Sequence, residues 1–442
     1  MPVTDHPEVP LAPPGVAPVM APDEPLPSLE RELSRLGVQC INVGSTRPAT
    51  GFRGYVDTGR GHMRIFRGMN WTDIPPSPFK SKSLTKELLK RAGCATPLGK
   101  RFRAGQFREA TDWYRKSGLN RVVVKPNGRK RGNGIGSDIG SVDELEFYLG
   151  RLPSTAFLVE EHVDGDDYRL LTVGGRFVAA TRRLPAHVVG DGTSSITELV
   201  TLKNAVRQQH PVAGKFPLVI DDVTLHLLAR AGLTAETVPD AGQTVWLRTA
   251  SNVGSGGEHE EVTDTVHDCF VDLVERIVQT LARPYSVLGV DILCHDITSD
   301  SSLASARITE IEGEAGLFGH SCPLFGEGPP RNVIRRIAEH VLRRYDIVPE
   351  FRRCTYLITG EGLEGYAAWL RGMADDAGMS GHVRQINAET VECDLTGGRA
   401  VLDNLMRQAV QAPGDGIVQG IACVSDQPAL PGSFPTLPER CR

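Results

Sequence analysis

The chain has 442 residues, of which 40% are hydrophobic and 23% charged, and its formal net charge is -5 at pH 7. This length suits two or three domains, and the composition is that of an ordinary globular protein. The slightly negative balance gives no electrostatic reason to expect a nucleic-acid partner.

Two further features bear on the compartment in which the protein works. The sequence has no run of roughly 18 apolar residues and no basic-then-apolar signal pattern at its start, so we expect neither a membrane partner nor secretion. Its 9 cysteines are scattered without a C-x-x-C pair, which is typical of reduced thiols rather than of disulfides or a zinc site. We therefore expect a cytoplasmic protein.

The N-terminal part of the chain changes character once. Residues 1–27 contain nine prolines and little apolar periodicity, which predicts a disordered leader. The segment 28–95 predicts a small αβ domain, with an amphipathic helix in LERELSRLG, strands in VQCINVG and HMRIFRGM, and a helix in KSKSLTKELLKRAG. The lysines Lys80, Lys86 and Lys90 around this last helix are interpreted as solvated.

The segment from Arg121 to Asp167 has the pattern of a nucleotide cleft. Val122 to Val124 form a β-branched run that predicts a buried strand, and Lys125 stands at its end. A basic loop follows, and its glycines allow backbone N–H groups to approach a polyphosphate. These glycines are Gly128, Gly132, Gly134 and Gly136. After a helix opened by a capping box, a second buried strand ends on the acidic pair Glu160 and Glu161.

The next stretch predicts a hairpin and a second glycine-rich loop. DDYRLLTVGGRFVAATRRLPAHV alternates in polarity around Gly174-Gly175, as a β-hairpin does. VWLRTASNVGSGGEHEEVTD then places Arg248 at a strand end, ahead of the loop. The acidic run that follows, Glu258, Glu260 and Glu261, admits two interpretations: a solvated face, or a region that attracts a cationic amine.

Three carboxylates on two later strands predict a metal site. Asp291 lies between apolar neighbours in SVLGVDILCHDI, and RITEIEGEAG is the next strand. Because side chains alternate along a strand, Ile308, Glu310 and Glu312 should share one face. Two carboxylates on one face beside Asp291 are costly to bury without a cation. Magnesium, which prefers carboxylate and phosphate oxygens, would remove that cost.

The C-terminal segment, 350–442, reads as strand, helix, strand, strand, helix, strand, which predicts a ferredoxin-like sandwich. It resembles acylphosphatase. Its loop Gly360–Gly365 and Gln385 depart from the motifs of that family. The place of the catalytic arginine falls near Ala367 or Ala368, with Arg371 one turn away. We therefore predict a packing, dimerisation or substrate-lid role, without hydrolysis of acyl phosphates.

Several of these motifs, taken in order, resemble the ATP-grasp carboxylate–amine ligases, and in particular the ATP-grasp module of the cyanophycin synthetases. They are VVVKP, the glycine-rich loop, LVEEHVDGDDYRLLTVGGRFVAATRRLPAHVVGDG, GVDIL and ITEIEGEAG. The resemblance implies an α/β (α+β) fold with an ATP-grasp domain over 96–348. Its lid half would cover about 99–163 and its sheet half about 164–348.

The resemblance also implies a role for each candidate residue. Those expected to bind ATP are Lys82, Lys125, Gly132, Gly134, Glu160, Glu161, Val163 and Asp167. Those expected to stabilise the transferred phosphoryl group and the tetrahedral oxyanion are Arg182 or Arg183, Arg248 and the loop that begins at Asn252. Those expected to hold magnesium are Asp291, Glu310 and Glu312. Glu312 stands where the family usually has asparagine.

The implied activity is an ATP- and Mg²⁺-dependent ligation of a carboxylate, on an amino acid or small peptide, to an amine through an acyl phosphate. A small-molecule or acyl kinase in the same cleft is the alternative. The expected partners are the two small-molecule substrates, and a homodimer is compatible with the sequence. The sequence does not identify the acid or the amine.

Overall fold

The computed structural model describes residues 29, 32–38, 40–43, 53–57, 62–67, 79, 81–127, 136–210, 212–281, 287–313, 316–321, 331–344, 346–411 and 416–429. The predicted leader 1–27 and the loop glycines Gly132 and Gly134 lie outside these residues. The chain divides into two compact units. One contains the described residues between 79 and 333, and the other those between 29 and 67 and between 334 and 429. None of the helices among the described residues has the length and apolar character that a bilayer crossing requires.

The described N-terminal strands form a small antiparallel sheet in chain order. They are β1 (Cys40–Val43), β2 (Arg53–Asp57) and β3 (His62–Arg67). This sheet belongs to the second unit, together with the C-terminal elements.

The first unit contains a four-stranded antiparallel sheet in the order β4-β7-β5-β6. Its strands are β4 (Gly99–Phe102), β5 (Val122–Pro126), β6 (Gly136–Ile139) and β7 (Phe157–Glu161). The helices of this half are α2 (Phe107–Ser117) and α3 (Val142–Leu149). The helix α1 (Lys82–Arg91) precedes β4 in the chain, and its Leu89 packs in a separate buried cluster with Leu170 and Val290. Ser141 caps α3 by accepting a hydrogen bond from the Glu144 N–H, as its position before VDELEFYL predicts. The core of this half includes Phe102, Val124 and Phe157.

A five-stranded antiparallel sheet forms the other half of the first unit, in the order β12-β9-β8-β13-β14. Its strands are β8 (Asp166–Val173), β9 (Arg176–Leu184), β12 (Glu258–Glu261), β13 (Val287–Cys294) and β14 (Arg307–Glu312). A two-stranded sheet pairs β10 (His187–Val189) with β11 (Thr244–Trp246). The helices of this half are α4 (Ile196–Arg207), α5 (Asp222–Arg230), α6 (Asp268–Thr280) and α7 (Phe318–Ser321).

One face of the five-stranded sheet is apolar and the other carries charged residues. Leu170, Val290 and Ile292 pack with Phe270 and Val274 of α6 in one buried cluster. Burying aliphatic and aromatic side chains of this size contributes about 1.5–3 kcal/mol each. The apolar face therefore holds the sheet against α6 and leaves the opposite face for polar chemistry.

The predicted alternation along β14 is wrong at Ile308. Ile308 packs in the apolar cluster with Ile311, whereas Glu310 and Glu312 line a cleft on the other face. The reason is an irregularity in the pairing of β13 with β14. Asp291 lies opposite Glu310 and Ile292 opposite Ile308. The extra residue, Thr309, shifts the alternation by one position. Glu310 and Glu312 keep their common face because they follow the irregularity.

The C-terminal part of the second unit has the predicted order of elements. They are β15 (Phe351–Glu361), α9 (Tyr366–Asp376), β16 (Ser380–Asn387), β17 (Thr390–Gly398), α10 (Arg399–Ala409) and β18 (Ile417–Pro428), preceded by α8 (Val333–Arg344). The sheet runs β16-β17-β15-β18 and is antiparallel. The likeness to acylphosphatase stays a prediction. The α+β class is confirmed, because helices alternate with wholly antiparallel sheets in both units.

Candidate active site

A cleft of about 1730 Å³ lies between the two halves of the first unit. Residues of both sheets line it, and most of the candidates predicted from the sequence are among them. These are Lys82, Lys125, Val163, Asp167, Arg182, Arg183, Arg248, Asn252, Asp291, Glu310 and Glu312. The fold therefore gathers at one cleft residues that are up to 230 positions apart in the sequence, from Lys82 to Glu312.

A row of side chains crosses the whole five-stranded sheet on its cleft side. In register order they are Glu261, Thr181, Arg169, Asp291 and Glu310. Residues directly opposite each other on antiparallel strands point to the same face, so this row is one continuous polar surface. Its position follows from strand pairing, because each member stands on a different strand.

Arg169, which the sequence analysis did not select, is the centre of that row. Its Nε and Nη2 donate to the two oxygens of Asp291 at 2.8 and 2.9 Å. Its Nη2 also lies 2.9 Å from Glu312 Oε2. Burial alone would raise the pKa of Asp291, but Arg169 and Arg183 outweigh burial and hold that pKa below its ordinary value. The only sequence signal for Arg169 was its place in the alternating hairpin DDYRLL.

The structure separates the two arginines that the sequence left as alternatives. Neighbours on a strand point to opposite faces. Arg183 reaches Asp291 Oδ2 at 2.9 Å and also contacts Asp167. Arg182 instead lies 3.0 Å from Asp166 Oδ2 and 3.3 Å from Glu260 Oε2. Arg183, and not Arg182, therefore belongs to the carboxylate cluster around Asp291.

On the four-stranded sheet, the buried carboxylate of Glu160 lies between two lysines. Lys125 contacts one of its oxygens and Lys86 the other. The interpretation of Lys86 as solvated is wrong, because it is only 7% exposed. No local pattern distinguishes Lys86 from Lys90, which is exposed on the same helix. Only the approach of α1 to β7 distinguishes the two.

The charges of this buried trio compensate one another. Burial lowers the pKa of Lys125, but Glu160 outweighs it and leaves that pKa raised. Burial would raise the pKa of Glu160, but Lys125 and Lys86 hold it below the ordinary value. Burial dominates at Lys86, whose pKa is lowered despite Glu160. Lys125 is therefore a fixed positive charge at the cleft.

The remaining candidates have contacts of their own. Arg248 donates to the Thr224 hydroxyl and lies 2.9 Å from Asp221 Oδ2. The Asn252 side chain accepts from the Gly254 N–H at 2.8 Å and so caps its own turn. Glu161 does not line the cleft, and its carboxylate accepts from the Leu98 N–H at 3.0 Å.

The acidic run on β12 is not simply a solvated face. Glu258 is 1% exposed and Glu261 is 7% exposed. Glu258 lies 2.9 Å from Lys203 Nζ and 3.1 Å from Arg207 Nη1. Burial raises the pKa of Glu258 in spite of these cations. Glu258 therefore joins the sheet to α4 through buried ion pairs.

The donor set of the predicted metal site fits magnesium. Among the described residues, no three or more His, Cys, Asp or Glu side chains are arranged so that they could hold a metal ion by themselves. Magnesium needs no such arrangement, because it keeps water and phosphate ligands and uses one or two protein carboxylates. Asp291 and Glu310 face each other across β13 and β14. They are neutralised by Arg169 and Lys82 respectively, so positive charge already balances them in this state.

Over part of its length the chain is similar in sequence to cyanophycin synthetases and to bifunctional glutathione biosynthesis proteins. It is 32% identical over 261 residues to cyanophycin synthetase from Trichormus variabilis. That alignment covers 57% of this chain and 28% of the synthetase. The chain is 28% identical over 295 residues to the glutathione biosynthesis bifunctional protein GshAB of Enterococcus faecalis, covering 64% of this chain and 38% of that protein. The chain thus spans well under half the length of these relatives. No protein-family model matches it.

Solved structures give weaker alignments. A bifunctional glutathione synthetase from Pasteurella multocida aligns with a TM-score of 0.46 and 22% identity, over 72% of this chain and 44% of that one. The ATP-grasp ligase PsnB complexed with a minimal precursor aligns with a TM-score of 0.31 and 13% identity, over 60% of this chain and 59% of that one.

Proposed function

We propose that this protein is an ATP- and Mg²⁺-dependent ligase that joins a carboxylate to an amine and releases ADP and phosphate. The observation that carries the proposal is the pairing of cations and carboxylates across one cleft. Lys125 and Lys82 line the same cleft as the carboxylates of Asp291, Glu310 and Glu312, and Lys82 contacts Glu310. A polyphosphate with a divalent cation needs this combination of charges. The sequence similarity to ATP-grasp ligases supports the same function.

The proposed reaction has two steps. A substrate carboxylate attacks the γ-phosphorus of ATP, which gives an acyl phosphate and ADP. An amine then attacks the acyl carbon, and the tetrahedral intermediate collapses to an amide, inorganic phosphate and a proton. Positioning and electrostatic stabilisation are the main contributions that a protein makes to such transfers.

In this proposal different charged side chains bind the phosphates, hold Mg²⁺ and stabilise the transferred group. Lys82 and Lys125 bind the α- and β-phosphates as point charges. Asp291, Glu310 and Glu312 would hold Mg²⁺, which neutralises phosphate charge when it is bound. Arg183 and Arg248 stabilise the transferred phosphoryl group and the oxyanion, and the loop from Asn252 borders them.

The nucleoside would lie against β7 and the segment that follows it. The backbone of Val163, which lines the cleft, would contact the adenine edge, and Asp167 the ribose. Asp167 is already held by Arg183 and by the Ser251 hydroxyl. A ribose hydroxyl would therefore meet an oriented carboxylate. Glu160 acts in this proposal through Lys125, since both of its oxygens contact lysines.

The substrates belong to a class rather than to named compounds. The relatives are named for cyanophycin and glutathione synthesis. We infer an acid that is an amino acid or small peptide, with a small amine as acceptor.

The test is ADP release from the full chain with ATP, Mg²⁺ and a panel of amino acids and dipeptides, with and without amines, followed by mass spectrometry. Amine-dependent ADP release with an amide product supports the ligase. A stable phosphorylated acid formed without any amine would instead establish the alternative, an acyl or small-molecule kinase. An Asp291→Asn variant is the control for turnover by a contaminating enzyme. Failure to bind or turn over ATP would overturn both functions.

A further inference from the structure

A pair of arginines meets a single carboxylate where the glycine-rich segment rejoins the four-stranded sheet. Arg121 Nη1 lies 2.7 Å from Asp138 Oδ1, and Arg230 Nη2 lies 2.9 Å from Asp138 Oδ2. Arg121 belongs to the same half of the unit as Asp138. Arg230 is the last residue of α5, in the other half. Asp138 therefore joins the two walls of the cleft.

The backbone at Asp138 is in a conformation that few side chains adopt. Its φ is 59°, in the left-handed region, although it lies within β6. The pairing of β5 with β6 is also irregular, because Val122 faces Ile139 while Val124 faces Gly136. The extra residue makes a β-bulge, which redirects a side chain. Such a conformation persists where the surroundings over-determine it, and the two arginines supply that constraint.

Further contacts join the same two walls. Arg230 Nε lies 3.1 Å from Glu144 Oε1 on α3. The ring of Phe147 on α3 stacks on His226 of α5 with 4.1 Å between centroids. One face of α5 thus packs along α3, which stabilises a fixed register between the two helices.

The opposite end of α5 holds a candidate catalytic group. Arg248 contacts Thr224 in the first turn of α5 and Asp221 just before it. The helix α5 has 9 residues and is therefore about 13 Å long, so we expect its two ends to move together. A shift of its last residue against β6 therefore changes where Arg248 stands in the cleft.

We propose that Arg230 is a positioning residue, which locks the strand after the glycine-rich segment against α5 and, through α5, sets the position of Arg248. This inference rests on the proposed ATP cleft. Arg230, Asp138 and Arg248 all line that cleft. The ion pairs of Arg230 are about one-third exposed, so they contribute little to global stability. Their loss should open the cleft locally without unfolding the protein.

The test compares Arg230→Ala, Arg230→Lys and the control Arg176→Ala in the full chain. Arg176 is a surface arginine of the same unit, and its ion pair with Glu275 joins β9 to α6 and involves neither α3, α5 nor β6. In Arg230→Ala, we expect amide exchange over 136–149 and 222–230 to become at least 5-fold faster, with an unchanged melting temperature. Binding of a non-hydrolysable ATP analogue should weaken 5- to 20-fold. Arg230→Lys should recover part of both, because it keeps one charge contact.

Turnover supplies a readout that a merely structural role would not move. If Arg230 sets the position of Arg248, then Arg230→Ala lowers kcat as well as raising KM for ATP. The double variant Arg230→Ala/Asp138→Asn should lose less than the sum of the two single losses, because both changes remove the Arg230–Asp138 pair. The proposal is overturned if exchange over 136–149 and analogue binding stay within 2-fold of wild type. It is also overturned if exchange rises throughout the unit together with a lower melting temperature. If wild type itself does not bind the analogue, the proposed ATP-binding function is wrong. The exchange comparison then still tests whether Arg230 holds β6 against α5.

Discussion

Lys82 and Lys86 lie one turn apart on α1 and contact carboxylates on two different sheets. Lys82 reaches Glu310 on the five-stranded sheet, and Lys86 reaches Glu160 on the four-stranded sheet. Residues four apart share one face of a helix, so a single face of α1 serves both walls of the cleft. The Lys82 N–H also donates to the Asn127 carbonyl, and the Ser83 N–H to the Asn127 side chain. The helix is thereby fixed at the base of the cleft.

Lys86→Met should lower the free energy of unfolding by about 1–3 kcal/mol, because it removes a charge-assisted hydrogen bond from a buried carboxylate. The loss stays below that of a broken isolated pair because Lys125 still contacts Glu160. Denaturant unfolding measures it. Lys90→Met, at an exposed site of the same helix, should change stability by less than about 0.5 kcal/mol. Equal stability of the two variants would show that Lys86 contributes nothing through Glu160.

Lys125→Ala should abolish most ATP turnover while the fold survives. A charge-assisted phosphate contact is worth about 2–3 kcal/mol, which corresponds to a loss of about 30- to 150-fold or more. The measurement is steady-state ADP release, with circular dichroism as the check on folding. Lys116→Ala, at an exposed position of α2, is the matched control. Turnover by Lys125→Ala within a few-fold of wild type would remove Lys125 from the phosphate site.

Glu310→Gln should shift the magnesium dependence to higher concentration. The substitution keeps the shape and one oxygen donor but removes the charge that faces Asp291 across the strands. Activity is measured against Mg²⁺ at saturating ATP, with the exposed Glu236→Gln as control. An unchanged midpoint in Glu310→Gln would mean that this carboxylate does not serve the metal.

His320 should make the protein less stable at mildly acidic pH. It is fully buried, and burial together with Arg169 and Arg183 lowers its pKa to about 3. An unfolded histidine has a pKa of about 6.5. Below that pH the unfolded chain binds a proton that the folded chain does not, so stability is full above pH 6.5 and falls on acidification.

The cost at pH 5.5 is about 1.4 kcal/mol, or about 3–6 °C in melting temperature for a domain of roughly 250 residues. Melting temperatures of wild type and His320→Gln at pH 7.5 and 5.5 test this. The wild-type drop should exceed that of His320→Gln, while His295→Gln, at an exposed position, should follow wild type. Identical drops in all three would contradict the assignment.

The C-terminal elements should not hydrolyse acyl phosphates. Arg371, the arginine next to the place expected for a catalytic one, is half-buried, lies 2.9 Å from Asp375 Oδ1 and donates to the Gly381 carbonyl at 2.6 Å. We expect the full chain without ATP to leave benzoyl phosphate at its spontaneous rate. Hydrolysis well above that rate, and lost in Arg371→Ala, would make this part of the chain a hydrolase.

Features that depend on short-range pattern were predictable from the sequence alone. The order of strands and helices after residue 350, the cap at Ser141 and the common face of Glu310 and Glu312 follow from turn residues and side-chain alternation. These are properties of neighbouring residues, so they need no knowledge of the rest of the fold. Alternation failed at Ile308, where an extra residue in β14 shifts the face and no local signal marks the shift.

The contacts that make the cleft were decided by tertiary structure. Arg169 meets Asp291 across 122 residues of sequence, and Lys86 meets Glu160 across 74. Nothing within either segment specifies which distant strand will lie beside it. Pairing register is set by burial of the apolar face of the whole sheet. For the same reason the sequence left Arg182 and Arg183 as alternatives, and only the position of β13 beside β8 brought Arg183 to Asp291.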